Sequence, residues 1–121
     1  MSEQFFDVQK LRRRPKTRAR VLAWIAALRS GEYRRTSGRL RRTTTRGTDR
    51  YCCLGVACDI IKPGKVDGSA FLTASEAERF ALLGGTADGS AQRKLANLND
   101  HGTSFKRIAR KLERVYAEAL A

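Results

Sequence analysis

Acidic residues are almost missing from one third of this chain. Between Lys10 and Arg50 only Glu32 and Asp49 occur, against fifteen of the chain's 25 Lys and Arg residues. That segment's net charge of +13 equals the formal charge of all 121 residues. No apolar run approaches the ~18 residues that a membrane span requires, so no membrane association is expected. The opening MSEQFFDVQKLRRRPK has acids first, no apolar stretch and no small-residue cleavage site, so it does not read as a secretory signal. The expectation is a cytoplasmic protein.

Cysteine and histidine are scarce as well. Cys52, Cys53 and Cys58 fall within seven positions, and His101 is the only histidine. An odd number of thiols so closely grouped cannot close useful disulfide loops, which fits a reducing compartment. A zinc site would need adjacent cysteines to point at one ion, and no C-x-x-C occurs, so no metal is expected and the thiols read as core residues. A cysteine nucleophile would have His101 as its one available base. Asp59, Asp67, Glu76, Glu78 and Asp100 form no acid–base motif, and Gly84-Gly85 and Gly89 lack the lysine and spacing of a phosphate loop. Neither an enzyme nor a cofactor is expected.

What the chain does contain is helical periodicity. Residues 1–16 read as a flexible basic arm, with Leu11 isolated among Arg12, Arg13, Arg14 and Lys16, and residues 17–121 read as one compact domain. Thr17 can cap a helix carrying Val21, Leu22, Trp24, Ile25 and Leu28, closed by Gly31. Thr36 to Cys53 alternates as a β-hairpin with turn residues at Arg46 to Asp49. Cys52 to Ile61 suits a short helix, weakened by Gly55 unless another backbone approaches it there. Thr73-Ala-Ser-Glu76 matches a capping box for a helix running through Phe80, Ala81 and Leu83 to Gly84-Gly85. Thr86 to Gly89 is a loop. Ser90 and Ser104 start two more helices, and Phe105, Ile108, Ala109, Leu112, Val115, Tyr116 and Ala119 form an unbroken stripe on the second. The fold expected is α+β and mainly helical, with four or five short helices, one small hairpin and the basic arm.

Clustered cations gain most from a polyanion, because they displace its condensed counterions. The candidate nucleic-acid-binding residues are Arg12, Arg13, Arg14, Lys16 and Arg18, together with Arg34, Arg35, Arg39, Arg41, Arg42, Arg46 and Arg50. The hairpin's cations are all arginine and are interleaved with Thr36, Thr43, Thr44 and Thr45. Guanidinium forks match phosphate oxygens and can also reach guanine edges. The partner expected is nucleic acid, DNA or RNA, or a host nucleoprotein. The alternative is an inhibitor or adaptor whose basic surface contacts a host defence or transcription protein directly. The oligomeric state is not readable. Leu95 to Leu112 has the rhythm of the first two helices of a helix-turn-helix, yet after Leu112 the stripe simply continues, so a helical packing hairpin is the better reading.

Leu28-Arg-Ser-Gly-Glu-Tyr33, Gly38-Arg-Leu-Arg41, Tyr51-Cys-Cys-Leu-Gly-Val-Ala-Cys-Asp59 and Leu95-Ala-Asn-Leu-Asn-Asp-His-Gly-Thr-Ser-Phe105 with Ile108-Ala109 resemble segments of small uncharacterised bacteriophage and prophage proteins. The resemblance spans roughly residues 21 to 114 and brings no activity and no functional residue with it. It implies a protein made in the host cytoplasm during infection.

Overall fold

The computed structural model describes residues 4–84 and 90–121. The loop expected from Thr86 to Gly89, and Gly85 of the expected helix stop, lie outside them. The chain's central helix, α2 (Pro15–Ser30), buries Thr17, Val21, Trp24, Ile25 and Leu28 on one stripe. It starts ahead of the expected Thr17 cap because Pro15 presets the backbone of the first turn, and Thr17 turns into the core instead. Gly31 ends it at φ 78. Trp24 is fully buried, donates its indole N–H to the Cys53 carbonyl at 2.9 Å and meets Phe80 edge-on at 5.4 Å. That one side chain joins α2 to α3 (Cys53–Ile61) and to the chain beyond α4 (Ala74–Glu78).

Residues 4–16 are not the flexible arm expected of them. Asp7 caps a short helix, α1 (Val8–Arg13), and Phe5 and Leu11 are fully buried, with Phe6 nearly so. The Asp7 N–H donates to the Ala81 carbonyl at 2.7 Å and the Leu83 N–H to that of Phe5 at 2.9 Å, making an isolated antiparallel bridge between Phe6 and Leu82. Three apolar side chains and two backbone bonds offset the entropy of ordering this segment.

The same pairing accounts for a second departure. The expected capping box at Thr73 and Glu76 forms, but α4 stops at Glu78 although the apolar period continues. Ala81 is left-handed at φ 53, with its N–H bonded to the Glu78 carbonyl and that of Leu82 to the Ala77 carbonyl. This Schellman-type reversal points Leu82 at Phe6. Two longer helices, α5 (Ala91–Asp100) and α6 (Phe105–Leu120), are capped by Ser90 and Ser104 and form the expected helical hairpin around Gly102. The buried stripe Phe105, Ile108, Ala109, Leu112 and Val115 packs α6 chiefly on α2.

The sheet consists of β1 (Arg41–Thr43) and β2 (Asp49–Tyr51), antiparallel, pairing Arg41 with Tyr51, Arg42 with Arg50 and Thr43 with Asp49. It is shorter than the expected 36–53 ribbon because Leu40 is drawn into the core. The architecture is thus α+β and mainly helical, with six helices among the described residues rather than four or five.

Gly55 fixes where the hairpin sits. A Cβ at this position of α3 would lie 1.8 Å from the Leu40 carbonyl oxygen, so the backbone entering β1 rests directly on the helix. Gly55→Ala should therefore destabilise the fold by about 3 kcal/mol, an overpacking cost that exceeds the ~1 kcal/mol by which alanine favours a helix. Urea unfolding checks this, and a stabilised variant would show that Leu40 does not sit there.

Candidate nucleic-acid interface

The hairpin is held at its base by backbone bonds. Leu40 N–H donates to the Ser69 carbonyl at 2.7 Å, and the Leu40 carbonyl accepts from Cys52 at 3.2 Å. On the outer side of β2, Tyr51 N–H donates to the Arg34 carbonyl at 2.7 Å while its carbonyl accepts from Thr36 at 2.8 Å. Arg35 thereby forms a parallel bridge to Tyr51.

Buried Asn99 at the end of α5 locks this strip to the helices. Its side-chain amide donates to the Thr36 carbonyl at 2.8 Å and accepts from the Cys53 N–H at 3.1 Å, while its main-chain carbonyl accepts from the Arg35 guanidinium at 2.6 Å. Gly38 N–H donates to Asp100 at 3.0 Å.

Two faces follow from the alternation of extended backbone. Tyr51, Arg41, Thr43 and Asp49 share one face, where Tyr33 meets Tyr51 edge-on at 5.1 Å and donates its hydroxyl to Asp59 at 2.6 Å. Burial, together with Asp59, raises the pKa of both tyrosines. Asp49 accepts from the Thr43 hydroxyl at 2.7 Å. On the other face Arg42 and Arg50 stand directly opposite each other, and the register carried one residue back sets Arg34 beside Arg50. All three are exposed, as are Arg39 and, at the turn, Arg46. The ion pairs among the described residues involve Lys10, Arg14, Arg29 and Lys62, and none involves these arginines. Like charges directly opposite in a sheet are destabilising, so the Arg42–Arg50 pair repels across the strands.

The remaining expected site residues separate into two sets. Arg18 donates to the Leu11 and Arg12 carbonyls at 2.7 and 2.8 Å and so ties α1 to α2, as Arg35 ties the hairpin base to Asn99. Arg12 donates to the main-chain oxygen of Ala121 at 3.2 Å. Arg13, Arg14 and Lys16 line a groove at the opposite end of α2 from the hairpin, joined by Arg20 and Arg79, which sequence spacing did not connect to them. A further exposed row, Arg107, Arg110 and Arg114, recurs at helical spacing along α6.

The chemistry of the thiols is quiescent. All three cysteines are buried and free. Burial pushes Cys52 up to about 11 and Cys58 up to about 12, and holds Cys53 well above the ordinary 9.0. His101 is exposed, with its ring Nδ1 2.7 Å from the Asn97 carbonyl. Among the described residues no group of three or more His, Cys, Asp or Glu is placed to hold a metal ion, and no helix is long and apolar enough to cross a membrane.

The family model described as Domain of unknown function (DUF8296) matches residues 17–82, and the chain belongs to that family. The matched span holds α2, the hairpin, α3 with Gly55, and α4. No curated protein and no solved structure matches the chain.

The raised thiol pKa values give a signed expectation. Unfolding releases thiols that ionise near 9.0, so their contribution to stability is complete below that pH and is lost as pH rises through about 11 and about 12. Iodoacetamide near pH 8.5, about where a free thiol is half ionised, should leave the native protein unlabelled and modify all three cysteines in urea. Rapid native labelling of any one of them, read by mass spectrometry, would restore a reactive thiol to consideration.

Proposed function

We propose that this protein binds nucleic acid, alone or within a nucleoprotein, through the arginine face of its hairpin, and that it does so without catalysing a reaction. The single observation that carries this reading is the row Arg34, Arg50 and Arg42, exposed and outside the ion pairs among the described residues, on backbone that Leu40, Gly55 and Asn99 hold in place. Adjacent strands are spaced by about 4.8 Å, so the three guanidiniums fan across a strip that can follow consecutive phosphates. Arg39 and Arg46 extend the strip toward the entry and the turn, and Thr45 adds a neutral donor. The α6 row Arg107, Arg110 and Arg114 offers further phosphate contacts. The resemblance to bacteriophage and prophage proteins supports placing this binding in the cytoplasm of an infected host.

The reading separates binding from stability. Arg42→Glu replaces a repulsive cross-strand pair with an attractive one, so the thermal midpoint should hold or rise while affinity falls. Arg34→Glu with Arg42→Glu should weaken retention on a mixed-sequence duplex or a single-stranded RNA at least tenfold and lower the salt slope by roughly 2. Unchanged mobility shifts at moderate salt would sink the proposal. A host-lysate pull-down that keeps the same partners after nuclease treatment would favour direct contact with a host protein, the inhibitor or adaptor reading, instead.

A further inference from the structure

The groove at the start of α2 has the composition of an anion site of a different kind. It encloses about 700 Å3 between α1, α2 and α4, and its walls carry Arg13, Arg14, Lys16, Arg20 and Arg79 against one carboxylate, Glu78. That carboxylate is already paired with Lys10 at 3.3 Å and Arg14 at 3.7 Å. Arg20 donates to the Arg79 carbonyl at 3.4 Å, fixing one wall. The side chains of Arg13, Lys16 and Arg79 are exposed and make none of the side-chain hydrogen bonds or ion pairs among the described residues.

Two features point inward. Thr17 is 97% buried at 3% exposure and lines the groove, and its hydroxyl has no hydrogen-bond partner among the described residues. Since among the described residues no side-chain oxygen or nitrogen is both fully buried and unpaired, that hydroxyl opens onto the groove. The N-terminus of α2 is also uncapped: Arg14 makes no side-chain cap bond and the first turn holds no acid. The Lys16 and Thr17 N–H groups, at helix positions without an intrahelical acceptor, lie at the same place. A free hydroxyl opening onto the groove, uncapped amides and converging cations form a concavity that matches a compact, multiply charged oxyanion.

We infer that this groove binds a terminal phosphate or diphosphate group, as opposed to the singly charged diesters that the hairpin would follow. The source of that group is either a free nucleotide or the 5′ end of a strand. The site stands independently of the hairpin, which lies at the far end of a helix of 16 residues, about 24 Å long.

Inorganic pyrophosphate is the first probe, followed by a nucleoside 5′-diphosphate and by matched oligonucleotides with 5′-phosphate or 5′-hydroxyl ends, read by calorimetry and thermal shift. Pyrophosphate should bind the wild-type chain and raise its midpoint. Lys16→Glu with Arg79→Glu should reduce that affinity at least tenfold, and Thr17→Val severalfold. An acid in the first turn favours the helix, so the first variant stays folded. Arg34→Glu with Arg42→Glu carries the same change in net charge and should leave pyrophosphate affinity within twofold of wild type. Tighter binding of the nucleotide assigns the groove to a free ligand, and a preference for the 5′-phosphorylated strand assigns it to a strand end. Absence of pyrophosphate binding, or equal loss in the hairpin variant, overturns the inference, and the second result would leave the hairpin reading standing.

Discussion

The contact on which the rest of this structure turns is the close approach of the Leu40 backbone to Gly55. A hairpin of three residues per strand has little intrinsic stability in water, and the strands of this one carry no large side chain with an apolar body other than Tyr51. Its position comes from its base. Leu40 is pulled into the core, its carbonyl lies where a Cβ of α3 would be, and that same carbonyl takes the Cys52 N–H at the start of the helix. Any side chain at 55 would lever the strand outward and carry Arg39, Arg41 and Arg42 with it. Asn99 does the complementary work on the outer strip: its side chain satisfies the Thr36 carbonyl and the Cys53 N–H, and its own carbonyl takes the Arg35 guanidinium. The arginines nearest these anchors are held in a fixed pattern, and Arg46 at the turn is held least.

How much of this was legible in the sequence depended on whether a feature was local. The stripes of α2 and α6, the Thr73–Glu76 capping box and the α5–α6 hairpin each announce themselves within about fifteen residues, and each is present. Gly55 was legible as a condition: a glycine inside a helix implies a neighbouring backbone, though the sequence cannot say which. The N-terminal segment departs from expectation because Phe5, Phe6 and Leu11 lack a helical period of their own, and its order rests on the Phe6–Leu82 bridge and on packing against α6, both more than seventy residues away. The end of α4 was misread for the same reason. Phe80 and Ala81 continue the apolar pattern, and only the reversal at Ala81, made to meet Phe6, shows that the helix has stopped.

The candidate site was legible as a count and illegible as a geometry. Fifteen cations against two acids mark the segment, yet composition cannot distinguish an arginine that holds the fold from one that faces solvent. Along α2 the difference is systematic. Arg18 reaches back to α1, Arg20 to the end of α4 and Arg29 to Glu113 on α6 at 2.8 Å, so the helix is stapled to three neighbours by its own guanidiniums. Of these, the Arg18 bond to the Leu11 carbonyl is partly buried, whereas the Arg20 and Arg29 contacts are exposed and contribute roughly 0–1 kcal/mol each.

Outside the α6 row of Arg107, Arg110 and Arg114, the exposed cations of the Lys10–Arg50 segment therefore gather toward the two ends of α2. At one end they line a concavity with a free hydroxyl and uncapped amides; at the other they spread over a ribbon two strands wide. Those shapes concentrate charge differently. A concavity surrounds a ligand and rewards charge held on a few atoms, whereas a ribbon meets a ligand along a line and rewards charge that repeats with distance. Screening falls off over about 8–10 Å at ordinary salt, well short of the ~24 Å length of α2, so each end feels its own cations far more than those of the other. The cations of the Lys10–Arg50 segment accordingly act as two separate fields, and a ligand that suits one has no electrostatic reason to suit the other.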